Sequence, residues 1–282
     1  MSKLSLPPGS ALRSAFFAAI FAPVALILMG MSLADLQARA AIGVPLASVE
    51  GMIGMAFSAI ILGMISINCE RHSIGMFVAA AWALIIGFLQ TFGYFRIHFL
   101  VAANLSADDM SAAQRWNLYP VCVAAILLGS GVALALTHRA RAKNPEAEEL
   151  MPFERHQSER IAVAVASLPL GIGALALLIR CAPADSLPMA ARGLSGVVAQ
   201  TPLQPILSAA VAEVLGLIAL ASRWSMIGPQ LIAWTYIIPG FLLIPLGTTL
   251  TGVVVTPGHS LGTQVLMAAS TIAAYGMILA AS

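Results

Sequence analysis

Apolar residues run through this chain in long stretches separated by short polar ones. Eight stretches approach or exceed the roughly 20 helical residues that span a hydrocarbon core of about 30 Å. They are Ser14–Leu33, Leu46–Ile67, Ile74–Phe95, Tyr119–Leu136, Ile161–Cys181, Pro205–Ser222, Met226–Thr249 and Leu261–Ala281. Backbone groups in hydrocarbon have no water to bond, so each stretch predicts a helix. The alternating strands of a transmembrane β-barrel are not visible. The pattern predicts an all-α polytopic membrane protein with eight transmembrane helices.

Composition agrees. Of 282 residues, 60% are hydrophobic and 9% charged, with a mean hydropathy of +0.93. A soluble domain carries about 25% charged residues. So few charges could not cover a soluble fold, which excludes a cytosolic enzyme, a nucleic-acid binder and a disordered scaffold. The placement of the cations sets orientation. With the N-terminus inside, the cytoplasmic side holds Lys3, Arg13, Arg71, Arg139, Arg141, Lys143, Arg155, Arg160 and Arg223. The outer side holds Arg39, Arg96, Arg115, Arg180 and Arg192. Nine against five predicts N-in and C-in, in a multi-pass protein of a bacterial inner membrane. Ser32-Leu33-Ala34 could also end a signal peptide, but a chain starting at Met1 favours an uncleaved first span.

The most polar segment, 138–160, divides the chain into a first four-helix unit (1–137) and a second (161–282). Sliding the sequence by 153 residues matches Leu62-Gly63-x-Ile65 to Leu215-Gly216-x-Ile218 and Ile74-Gly75 to Ile227-Gly228. It also matches Ala80 to Ala233, Ile85 to Ile238 and Gly87-Phe88-Leu89 to Gly240-Phe241-Leu242. These are ten identities over the 30 pairs from Ile60 to Leu89, where chance at this composition gives about three. Four spans per unit give both halves one orientation, a parallel repeat about the membrane normal. Each half would have a very short cytoplasmic hairpin between its second and third spans. Small residues throughout permit close helix packing, and Pro239 and Pro245 make span 7 the best candidate for a broken helix lining a cavity, with tolerated kinks in an unbroken helix the equal alternative.

Glu213 is the ionisable side chain well inside a span, ninth of the 18 residues from Pro205 to Ser222. A carboxylate there costs several kcal/mol, so it is expected to face protein or water. It could relay a proton, act as general acid or base, or ligate a cation. Alternatively, it is a protonated carboxyl bonded to Gln230, Tyr236, Ser208 or Thr235. Tyr236 could donate to a ligand oxygen while Glu213 moves a proton. Gln90 and Tyr94 near span 3, and Gln230, Trp234 and Thr235 in span 7, complete a candidate ligand site, with Trp82 and Trp234 also readable as packing residues.

No histidine lies inside a span, which argues against a membrane haem or a histidine-bound metal; no metal site is expected, and the sequence names no cofactor. Cys69, Cys122 and Cys181 form no metal-like pair; Cys122 and Cys181 share the outer face, where a bridge could form, but both also suit buried apolar positions. Gly258-His259-Ser260-Leu261-Gly262 spells a nucleophile elbow, yet no strand precedes it, and Ser260 reads better as the cap of span 8.

From Gly87 the third span reads Gly-Phe-Leu-Gln-Thr-Phe-Gly-Tyr, downstream of Gly51. This resembles the second and third helices of the four-span styrene-oxide-isomerase family, with Gln90 at the family asparagine and Tyr94 at its tyrosine. Val49 falls near the family's haem-binding histidine, so the resemblance does not extend to haem. The leading expectation is a membrane protein that binds a small or apolar ligand near Glu213, Gln230 and Tyr236 and moves or transforms it. The alternatives are a structural subunit with partner membrane chains or further copies of itself, and an isomerase-like membrane enzyme. The bilayer is the common partner, and nucleic acid is not.

Overall fold

A computed structural model describes residues 11–41, 48–69, 72–91, 116–143, 157–184, 204–250 and 261–282. Among these residues the regular structure is helical throughout. The helices are α1 (Ala11–Ala41), α2 (Val49–Asn68), α3 (Ile74–Thr91), α4 (Tyr119–Lys143), α5 (Gln157–Cys181), α6 (Gln204–Leu220), α7 (Ile227–Leu250) and α8 (Leu261–Ala281). Seven are long and apolar enough to cross a membrane; the apolar part of α3, Ile74–Leu89, is shorter. The chain is thus consistent with a multi-pass helical membrane protein.

Two helices run past their expected ends, and a third takes a definite course through its prolines, each for a physical reason. α1 continues eight residues past Leu33, because Ala-Asp-Leu-Gln-Ala-Arg-Ala-Ala contains no breaker and is rich in good helix formers. α4 runs on through His138–Lys143, where basic side chains suit the C-terminal end of a helix. α7 is one continuous helix through Pro239 and Pro245, not a broken one. A proline removes one backbone donor and bends a helix without ending it when neighbouring helices hold both arms.

α1 packs along α2 and α3, and α3 along α4; α5 packs along α6 and α7, and α7 along α8. α4 lies against α6, and α8 against α2. The hairpin partners α2 and α3 touch little, as do α6 and α7. α8 is the most enclosed helix, with Thr263–Gly276 buried nearly throughout. Small residues set the closest approaches. A methyl group on Gly216 would lie 3.0 Å from the Ala125 carbonyl oxygen of α4, and one on Gly276 2.8 Å from the Ala233 carbonyl of α7. The α4–α6 and α7–α8 seams are therefore filled by backbone, leaving no room for a ligand along those contacts.

Candidate functional site

Glu213 points away from the bundle. On α6 the buried positions are Ser208, Val211, Ala212, Leu215, Ile218 and Ala219, while Ile206, Glu213 and Leu217 are exposed. Positions i, i+7 and i+11 fall on one side of a helix, so the carboxyl shares an outward stripe with two large apolar side chains. It lies seven residues before the end of α6, roughly 10 Å along the axis at 1.5 Å per residue. Among the described residues none hydrogen-bonds to the carboxyl. The carboxyl, expected to face protein or water, is exposed on the outer side of α6.

The four groups expected to bond it are engaged elsewhere. The Tyr236 hydroxyl is buried and donates to the Gly171 carbonyl on α5 at 2.7 Å. Gln230 Nε2 donates to the Ala280 carbonyl on α8 at 3.2 Å. Ser208 Oγ donates to the Trp116 carbonyl at 2.7 Å. Thr235 Oγ1 donates to Leu231 of its own helix at 2.7 Å. Tyr236 is thus buried where Glu213 is exposed, and no hydrogen bond joins the two.

Trp234 is 55% exposed, on an outward stripe of α7 with Leu231, Ile238 and Leu242. It is the seventh residue after Ile227, as Glu213 is the seventh before Leu220, so the two lie at one depth on either side of the turn Ala221–Arg223. Arg223 covers the exposed ring of Trp224 at 5.4 Å at that turn. Thr235 shares this depth. Tyr94, the side chain of Gln90 and the segment Pro257–Ser260 lie outside the described residues, so the ligand set around span 3 and the proposed cap of α8 do too.

A second polar region was not anticipated. Gln37 of α1 is fully buried: its Oε1 accepts from Trp116 Nε1 at 3.1 Å and its Nε2 donates to Thr271 Oγ1 of α8 at 3.0 Å. Asn117 Nδ2 donates to the same hydroxyl at 3.3 Å, and its carbonyl accepts from Tyr275 at 2.9 Å. Tyr119 donates to the Leu26 carbonyl at 2.5 Å. Leu118, between these residues, adopts a left-handed φ of 45°, which costs energy for a branched side chain. Beside this network Asp35 is buried, accepts a short hydrogen bond from Ser48 at the start of α2 and lies 3.9 Å from Arg39. The sequence signal was the unbroken helix former run past Leu33, which carries Asp35 and Gln37 into the bundle.

Every side chain in this region has a bonding partner; among the described residues Ser130 Oγ is the buried side-chain polar atom without one. A fully satisfied network of this kind joins elements rigidly. Cys122 and Cys181 are buried thiols, and Cys122 Sγ is directed at the Asn117 and Ser208 carbonyls at 3.7 and 3.8 Å. No disulfide links them. Among the described residues no group of three histidines, cysteines or carboxylates could hold a metal. No protein-family model, curated protein or solved structure matches the chain.

Proposed function

We propose that the chain is an eight-span, N-in and C-in protein of a bacterial inner membrane, built of two fused four-helix units, and that it acts as a membrane-embedded subunit. Its docking face is the outer surface of α6 and α7, and its occupant is a transmembrane helix of a partner chain that offers a hydrogen-bond donor to Glu213.

The observation that carries this reading is a carboxyl at mid-helix on an outward, otherwise apolar face. Left against lipid, it costs several kcal/mol. A polar or basic side chain on a neighbouring helix removes that cost, and in model systems such an interhelical bond is worth about 1–2 kcal/mol. Exposed Ile206, Leu217, Leu231, Trp234, Ile238 and Leu242 extend the face to the length of a helix rather than that of a small molecule. The buried polar network is closed by its own partners, which favours a joint over a reaction chamber. A small apolar ligand resting on Trp234 beside Glu213 is the second reading, favoured by the equal depth of those two residues.

The packing supports the duplication. Within each half the neighbours match, since α1, α2, α3 and α4 touch one another as α5, α6, α7 and α8 do, and α4 lies against α6 as α8 lies against α2; the α1–α8 contact has no such counterpart among the described residues. A methyl on Gly75 would meet Ser14 Oγ at 2.5 Å, and one on Gly228 would meet Ser167 Oγ at 2.6 Å. Ser14 and Ser167 are themselves 153 residues apart. Gly87 faces Pro120 at 3.1 Å and Gly240 faces Ala273 at 2.6 Å, again with the same offset on both sides. Within this symmetry Glu213 corresponds to Ile60, which is 58% exposed on α2. The docking group is therefore special to the second half.

Photo-crosslinking in native membranes tests the reading. A photoreactive residue at Leu217 is expected to capture one discrete polypeptide, lost on Glu213→Leu, while the same residue at Ile60 captures lipid. Lipid capture at both positions contradicts it, and a small-molecule adduct at Leu217 selects the second reading.

A further inference from the structure

At the end of the bundle that holds the α6–α7 turn, α3 and α4 part to form a groove of about 480 Å³. Its mouth is polar: His72 and Ser73 at the start of α3, and His138 and Arg139 near the end of α4. Its floor is apolar, with Phe77, Val132 and Leu136 prominent. Among the described residues no carboxylate lines it. The groove opens sideways, since Ile74 is 45% and Val132 36% exposed on the outer surface.

We propose that this groove binds one phospholipid with an anionic headgroup. The lipid's phosphate lies at the mouth and one acyl chain runs along Phe77 and Val132. Arg139 supplies a permanent positive charge and a planar set of N–H donors matched to phosphate oxygens. The His72 imidazole adds a ring donor, and the N-terminal end of α3 adds the positive end of a helix dipole. The apolar floor decides between two phosphate sources. A free phosphate ion gains nothing from Phe77, Val132 and Leu136, whereas an acyl chain entering from the bilayer covers them. Basic pockets between helices at a membrane surface are suited to such headgroups, at about 1 kcal/mol per cation.

The test is lipid retention. The full chain is solubilised in mild detergent from vesicles of equimolar phosphatidylglycerol and phosphatidylcholine, and bound lipid is counted by native mass spectrometry. The wild type is expected to retain phosphatidylglycerol preferentially. Arg139→Gln should weaken that retention about fivefold, and His72→Ala, which removes a ring donor at the mouth, should weaken it as well. Val132→Trp, which fills the floor, should reduce retention of both lipids, and adding inorganic phosphate should displace neither. Melting of the variants without added lipid controls for folding. Equal retention of the two lipids by the wild type, or full retention by both the Arg139 and His72 variants, overturns the proposal. Displacement by inorganic phosphate also overturns it, by assigning the groove to a free anion.

Discussion

Glu213 occupies the register that Ile60 holds in the proposed first unit, and the exchange of an apolar side chain for a carboxyl on an outward face has a direct energetic reading. Removing the carboxyl relieves a cost in the isolated protein and deprives a bound partner of its bond. Glu213→Leu should therefore leave the melting temperature of the purified chain unchanged or slightly raised, whereas a carboxyl in a protein-lined cavity would lose stability on the same change. Thermal unfolding in detergent distinguishes the two. The depth of Glu213 was legible in the sequence, but its direction was not. Beside Ser208 and Glu213 the rest of α6 from Ile206 onward is apolar, so no polar stripe separates lipid from core in the sequence. Cys69, just beyond α2, gives a pH signature. Burial raises its thiol above the ordinary value of 9.0, outweighing the hydrogen bond with Ser14. Its neutral form is thus favoured in the folded state. The stability this contributes is fully present below pH 9 and is lost as pH rises through the higher folded value. Cys69→Ser should flatten the alkaline fall of the melting temperature, provided the hydroxyl fits beside Ser14.

The helices themselves were largely readable, because runs of apolar residues near bilayer length leave few alternatives to α-helix. The exception is instructive: α1 was ended at Leu33 by hydropathy, although nothing in Ala34–Ala41 stops a helix. That extension places Gln37 against Thr271 and Trp116. Side-chain bonds across 234 residues of sequence, such as Gln37 to Thr271, leave no local pattern to find. Thr271→Val removes the hydroxyl that accepts from both Gln37 and Asn117, and should cost about 1–3 kcal/mol as those buried donors lose a partner. Equilibrium unfolding of the variant checks this. Glycines give a paired test. Gly276→Ala places a methyl 2.8 Å from two backbone atoms of α7, and should cost about 1–3 kcal/mol. Gly173→Ala has no atom within 4 Å of its new methyl, and should be neutral or stabilising by up to about 1 kcal/mol.

For the molecule as a whole, the offset of 153 residues was visible in one block of the chain, where matched glycines preserved it. It was invisible at Pro120 and Ala273, which share a packing role without sharing a side chain. Packing constrains volume and proximity more strictly than identity, so a duplication of the kind proposed would leave little sequence likeness in the first and fourth helices of each unit. Two parallel four-span units put both termini on one side; reporter fusions at residues 1 and 282 should both report the cytoplasm, and opposite locations would exclude an even number of spans. The central claim is that Glu213 faces outward into the bilayer until a partner covers it. Labelling with a membrane-permeable, apolar carbodiimide, read at Glu213 by peptide mass spectrometry, tests it most directly. The purified chain should be modified at Glu213 by this reagent and spared by a water-soluble carbodiimide, and native membranes should protect the site. Modification by the water-soluble reagent alone would place Glu213 in an aqueous cavity and contradict the account.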